Sequence, residues 1–448
     1  MKLFSAPFRP TPKVRAPAPS RTTTVSVLDV GTAKVCCMIA RLRPRDESEV
    51  LPDRTHSIEV LGCYHLKSQG IKSGVIVDLD AAETVIRNAV DGAERMAGVT
   101  VDSLIVNVSA GRLQSETFNA SVSLSGHAVE ANDIARVLAA GGEQVMTADR
   151  ATLHAMPIGH TLDGNSGIRD PRGMLGEELG IDMHVISADI APMANLELVI
   201  NRAMLSVETM VATPYASGLS ALVGDEAEIG CACIDMGGGT TTISIFHEGN
   251  LVYTDAIALG GGHVTTDLAR GLGCAIDEAE RLKVRHGSAL PSASDDRDMI
   301  NVPLLGMDDS EAMTSIPRAH VTRIVRPRVE ETLETIRDRL SASGYAGLIG
   351  KRLVLTGGAS QLNGVAEVAR RIIGRNVRLG RPMGVSKLPA AAKGPSFATS
   401  VGLLIYPQVA GNEQAFRIQG GGRRTGAPRL TGTTGTLARM GHWLKESF

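Results

Sequence analysis

Aromatic residues are scarce in this chain, at 3% of 448 positions, with a single Trp. Its core must therefore be built from aliphatic side chains, and the 43% hydrophobic content suits an α/β protein. Charge of one sign is also missing. Lys and Arg number 46 against 48 Asp and Glu, a net charge of −2. There is no general electrostatic pull on nucleic acid, and no nucleic-acid partner is expected. The six cysteines, Cys36, Cys37, Cys63, Cys231, Cys233 and Cys274, form no C-x-x-C pair and no zinc-ligand spacing. They are expected to be buried thiols in a reducing cytoplasm. The eleven histidines are scattered and make no H-E-x-x-H. No apolar run approaches the ~18 residues that a spanning helix needs. Residues 1–21 carry Pro, Arg and Lys without an apolar signal core, and read as a disordered extension. Neither G-x-x-x-x-G-K-[ST] nor an intact G-x-G-x-x-G after a strand is present, which excludes the P-loop and Rossmann patterns.

Glycine, by contrast, is abundant, and its placement carries the information. Two segments read as copies of one device, a strand, an aspartate, a glycine turn and a second strand. The first runs from Val25 through Asp29-Val-Gly31-Thr32-Ala-Lys34 to Ala40, the second from Cys231 through Asp235-Met-Gly237-Gly238-Gly239-Thr240 to Phe246. Either turn alone is ordinary hairpin chemistry. In matched register, the pair points to two similar lobes across a cleft. Glycine lets backbone N–H groups approach a phosphate, while hydroxyls and Lys34 add donors and charge. Asp29 and Asp235 are then placed to hold a hydrated Mg²⁺ on the phosphates. A third element, Arg352-Leu-Val-Leu-Thr356-Gly357-Gly358-Ala359, is a strand ending in Gly-Gly, where a flat ligand can lie against bare backbone.

Between these motifs, helical spacing of Val85, Ile86, Ala89, Val90, Ala93 and Met96 predicts a helix ending at Gly98. From about Val99 to Ser187 short alternating strands and a helix near 131–139 read as a small α+β insert. Further helices are expected over 194–207 and 216–222, from Pro327 along Val329, Leu333, Ile336 and Leu340, and over 398–406. Residues 408–436 are rich in Gly, Thr and Arg and read as a flexible linker. The end differs. Leu437, Met440, Leu444 and Phe448 fall within an arc of about 80° at ~100° per residue, with Trp443 at its edge and Lys445 outside it. That pattern is an amphipathic helix suited to lying in a membrane surface.

The phosphate hairpins and the late Gly-Gly turn resemble the actin/Hsp70/sugar-kinase ATPase superfamily. Together with Gly70-Ile-Lys-Ser-Gly-Val-Ile-Val-Asp78, Arg169-Asp-Pro-Arg-Gly-Met174, Ala279-Glu-Arg-Leu-Lys283 and the Trp443-Leu-Lys445 end, the chain from Thr22 onward resembles the FtsA family of bacterial cell-division proteins. The resemblance implies an actin-like two-lobed ATPase fold: subdomain 1A over 22–98, an inserted 1C over 99–187, 1A again over 188–220, 2A over 221–262, 2B over 263–340, 2A over 341–388, and a returning 1A helix over 389–407. The linker 408–436 and the membrane helix 437–448 follow. It implies ATP with Mg²⁺ as ligands, held by Asp29, Gly31, Thr32, Lys34, Asp235, Gly237, Gly238, Gly239, Thr240, Glu280, Lys283, Gly357 and Gly358, with Glu280 and Lys283 on the ribose and adenine side. It further implies filaments that tether the tubulin-like FtsZ, through subdomain 2B, to the cytoplasmic face of the inner membrane at the division septum. Later divisome proteins would meet 1C, and lipid would meet Leu437, Met440, Trp443, Leu444, Lys445 and Phe448. Two other readings share the cleft, a phosphotransferase of the same superfamily and the actin-like adaptor of type IV pilus assembly. No residue can be assigned as a catalytic base, so any ATP turnover is expected to be slow.

Overall fold

The computed structural model describes residues 17–18, 20–46, 54–109, 112–143, 150–303 and 313–420. Two five-stranded sheets dominate it. The first runs in the order Ser206–Ala212, Ser103–Val108, Thr23–Val30, Lys34–Pro44, His56–Lys67. The second runs Asn376–Leu379, Arg352–Thr356, Cys231–Met236, Thr241–His247, Asn250–Ile257. In each, an antiparallel three-strand meander is extended by two parallel strands on the free side of its first strand. The duplication read from the two hairpins is thus a duplication of whole sheets. Each sheet has its own aliphatic core, one centred on Leu28, Met38, Ile39 and Ile86, the other on Ile234, Ile243, Leu333 and Leu355. All six cysteines are buried free thiols.

Between the parallel strands Ser103–Val108 and Ser206–Ala212 lies the insert. Its antiparallel sheet runs Gln114–Ser123, Glu178–Asp189, Arg150–Leu162, Asn165–Ile168, and carries the helix Ala131–Glu143. Leu124, Val137, Leu179, Ile181 and Met183 give it a third, separate core.

Local signals fix several helices. Leu79–Ala97 starts where the Asp78 side chain accepts from the amides of Asp80 and Ala81, and stops at Gly98 with φ 68°. Its inner face is the expected one, except that Met96 points outward at 53% exposure. Other boundaries moved. The helix expected over 194–207 is Ile190–Arg202, because Ser206–Ala212 is taken as an edge strand of the first sheet. The helix expected to begin at Pro327 starts at Arg318 and carries Pro327 inside it. A proline there costs about 3 kcal/mol, but Val321, Val325, Val329, Leu333 and Ile336 all bury on one face and offset it.

The returning helix also runs further than expected, over Ala398–Gly420. The linker predicted from residue 408 therefore begins no earlier than 421, and the membrane helix 437–448 lies outside the described residues. Burial explains the extension. Glu413 is 2% exposed and accepts hydrogen bonds from His154 Nδ1 at 2.9 Å and from the Tyr406 hydroxyl at 3.3 Å. His154 belongs to the insert, and its Nε2 accepts from the Ala212 amide at 2.9 Å, which fixes the proton on Nδ1. One buried network so joins the insert, the returning helix and the first sheet. Glu413→Ala takes the acceptor from the buried His154 Nδ1 donor and is expected to cost about 1–3 kcal/mol, read as a fall in the urea midpoint. Glu413→Gln, which keeps an acceptor, should cost clearly less.

Candidate functional site: a glycine-lined cleft between two hairpins

The two Asp-Gly hairpins fold alike. Gly31 N–H donates to the Lys34 carbonyl at 3.0 Å, and Gly237 N–H to the Thr240 carbonyl at 2.9 Å. Asp29 pairs in register with Cys36 and Asp235 with Thr242. The two turns meet at the mouth of one cleft. A Cβ on Gly238 would lie 3.0 Å from Ala33 Cβ, and one on Gly239 would lie 2.5 Å from Thr32 Oγ1 and 2.8 Å from Ser73 Cα. Ser73 tips the small hairpin Ile71–Lys72/Val75–Ile76, whose Gly74 amide donates to Thr32 Oγ1. A second glycine run buttresses the first, since the amides of Gly261 and Gly262 donate to the carbonyls of Gly237 and Gly238. Gly357, at φ 83°, closes the floor. A Cβ there would lie 2.3 Å from Asp235 Oδ1, so the close approach needs glycine.

Asp29, Gly31, Thr32, Lys34, Asp235, Gly237, Gly238, Gly239, Thr240, Gly357 and Gly358 all line this cleft. Glu280 and Lys283 do not line it. They lie on the helix Ile276–His286, where Lys283 Nζ binds Glu280 Oε2 at 2.7 Å, Thr265 Oγ1 at 2.9 Å and the Gly261 carbonyl at 3.1 Å. Their i,i+3 pair is part of a brace on the second glycine run.

The two carboxylates are held by consecutive residues of one helix. Thr399 Oγ1 donates to Asp235 at 2.9 Å and Ser400 Oγ to Asp29 at 2.6 Å. Both hydroxyls lie in the first turn of Ala398–Gly420, whose N-terminal dipole favours negative charge. Lys34 Nζ reaches Asp29 at 3.0 Å and stands 4.5 Å above the Phe397 ring. Burial, the largest single influence, would lower the Lys34 pKa, but Asp29, Cys36 and Asp235 together outweigh it and hold it above the ordinary value. Asp235 moves the other way. Burial pushes its carboxyl up to about 6, helped by the Asp29 charge and opposed by the Thr399 hydrogen bond.

That shift has a sign. Between about pH 4 and pH 6 the folded protein keeps a proton that the unfolded chain has lost, so stability falls as pH rises through this window. Asp235→Asn is expected to remove that slope and to stabilise the empty protein at pH 7, by on the order of 3 kcal/mol at most. Urea midpoints at pH 4.5 and pH 7 measure it. A wild-type slope retained by the variant would assign it elsewhere.

Sequence reading missed the hydroxyls and amides that complete the cleft: Asn107, Ser109, Thr213, Thr242, Ser396 and Thr399. Asn107 accepts from the Val30 amide at 2.6 Å and donates to Thr213 Oγ1 at 3.2 Å, tying the first hairpin to its own lobe. Only Thr242, three residues past the glycine turn, lay within a motif that could have flagged it.

Two lobes of one strand order, facing across a glycine-lined cleft with an α+β insert in the first, define an actin-like ATPase fold. A family profile described as "Cell division protein FtsA" matches residues 232–402, and one described as "SHS2 domain inserted in FTSA" matches residues 110–187. The cell division protein FtsA of Rhizobium meliloti is 61% identical over the full length of both chains. That of Pseudomonas aeruginosa is 31% identical, covering 94% of this chain and 97% of its own. The chain belongs to the FtsA family of cell-division proteins. Among solved structures, a PilM-PilN type IV pilus biogenesis complex shares the fold, with a TM-score of 0.58 and 15% identity over 86% of this chain and 98% of that one. That likeness extends to the fold alone.

Proposed function

We propose that ATP with Mg²⁺ binds in this cleft, and that the loaded protein polymerises and tethers the FtsZ ring to the cytoplasmic face of the inner membrane at the septum. The observation that carries the nucleotide reading is the meeting of two similar turns, at whose contact Gly238 and Gly239 leave no room for a Cβ. Their amides, with Thr32, Thr240 and Lys34, supply donors for phosphate oxygens. Asp29 and Asp235, both under 8% exposed, suit a hydrated divalent cation, which neutralises phosphate charge when bound. Gly357 and Gly358 leave a flat wall for the nucleoside. No residue of the cleft is assigned as a base, and slow turnover is the expectation.

FtsZ would dock on the 263–340 region and later divisome proteins on the insert. Within that region Arg328 is committed to Asp267 at 2.6 Å and Arg326 to Glu330 at 2.9 Å. Arg323 is exposed and has no carboxylate partner among the described residues, which makes it the candidate for an acidic peptide. No helix among the described residues is long and apolar enough to cross a membrane. Attachment is assigned to Leu437, Met440, Trp443, Leu444, Lys445 and Phe448. The test is electron microscopy of the full chain on anionic vesicles with Mg²⁺ and ATP, followed by addition of FtsZ. Lipid-bound filaments that recruit FtsZ are expected. Soluble monomers that leave FtsZ off the vesicles would reject the reading.

A further inference from the structure

Thr242 faces the cleft floor without a partner. It is 2% exposed, and its Oγ1 is buried with no hydrogen bond among the described residues. A buried hydroxyl in this state is costly unless a water or ligand completes it. The neighbouring threonine has none to spare, since Thr241 Oγ1 donates to the Leu259 carbonyl at 2.8 Å. Register fixes the direction of Thr242. It pairs directly with Asp235 across the antiparallel hairpin, and directly opposed residues point to the same face of a sheet. Both line the cleft. The matching position in the first hairpin, opposite Asp29, is Cys36, a buried thiol. The two hairpins, alike in register, therefore differ at this position. Only the second sets a free hydroxyl beside its carboxylate.

We propose that Thr242 is a positioning residue for the metal, its hydroxyl hydrogen-bonding a water of the hydration shell of a divalent cation placed at Asp235. This rests on the nucleotide reading above and adds a residue that strengthens the metal-dependent part of binding. A hydrated Mg²⁺ keeps several waters, and each donates its hydrogens to acceptors in the wall, such as a hydroxyl oxygen. Asp235 already accepts a hydrogen bond from Thr399 on one oxygen, so further acceptors for the shell waters must come from a neighbour on the same face. Thr242 supplies one.

The test is Thr242→Val, which keeps the shape and removes the hydroxyl, with Thr242→Ser as the conservative control. Two readouts are needed, the melting temperature without ligand and ATP affinity measured with Mg²⁺ and with EDTA. The valine variant is expected to melt about 2 °C higher than wild type when empty, because an unpaired buried hydroxyl has gone. The gain in ATP affinity given by Mg²⁺ should shrink roughly fivefold, while affinity in EDTA stays as in wild type. Thr242→Ser should restore the gain. An unchanged Mg²⁺ gain in the valine variant overturns the proposal and leaves the hydroxyl merely hydrated. An equal loss with and without Mg²⁺ also overturns it, by placing the hydroxyl on the phosphates themselves. A wild-type protein that binds no nucleotide under either condition would instead remove the reading beneath it.

Discussion

Gly238→Val is expected to lower ATP affinity by about a hundredfold or more while leaving the fold intact. The new Cβ would meet Ala33 Cβ at 3.0 Å and the Ala33 amide nitrogen at 3.3 Å, and the valine methyls reach further. Both lobes have cores of their own, so the strain is relieved by parting the turns rather than by unfolding. Parting them takes the amides of one hairpin out of reach of phosphates held by the other. Each charge-assisted hydrogen bond is worth about 1.5–3 kcal/mol, and every 1.4 kcal/mol is tenfold, so losing two accounts for the effect. Gly239→Val should be at least as damaging, since Thr32 and the Ser73 backbone stand closer still. Gly224→Ala, outside the cleft and with nothing within 4 Å of the new Cβ, is the internal control. Calorimetry that found wild-type affinity in Gly238→Val would show that phosphates do not lie between these turns.

Leu444→Glu or Trp443→Glu is expected to release the protein from vesicles. Fully burying an apolar side chain contributes about 1.5–3 kcal/mol, and interfacial insertion recovers only part of that. Less the entropy of ordering a dozen residues, one tail leaves roughly micromolar-to-millimolar binding. Stable attachment then depends on many tails acting together along a filament, through their effective concentration. A glutamate in the apolar arc removes a large share of a small total. Lys445→Glu should weaken binding mainly to anionic lipid. Vesicle pelleting with and without residues 437–448 measures both effects. A truncated chain that still pelleted under filament-forming conditions would place the membrane contact elsewhere.

The cleft was legible because its chemistry is local. Asp29, Gly31, Asp235, Gly237 to Gly239 and Gly357 sit in turns whose backbone demands are written in consecutive residues. What closes the cleft was not legible, because it comes from afar. Thr399 and Ser400 reach it from the end of the chain, and nothing in their neighbourhood marks them as partners of Asp235 and Asp29. Glu280 and Lys283 carry a motif, and what it did not show is that Lys283 binds both Glu280 and the Gly261 carbonyl of the second glycine run. Helix limits erred where packing overrode propensity. Pro327 was read as a start and lies inside a helix buried along one face, while residues beyond 408 were read as linker although Glu413 is fastened to His154 of the insert. The insert announced itself by its texture, but not its buried tie to the returning helix.

The central claim is that three segments distant in sequence close on a single Mg²⁺-ATP. Hydrogen exchange of the full chain tests it most directly, comparing the empty protein with the protein saturated with Mg²⁺ and ATP. Slowed exchange is predicted together in residues 30–34, 236–241 and 356–360, with the same dependence on ATP concentration in all three. Protection confined to one of these segments, or appearing only outside them, would contradict it.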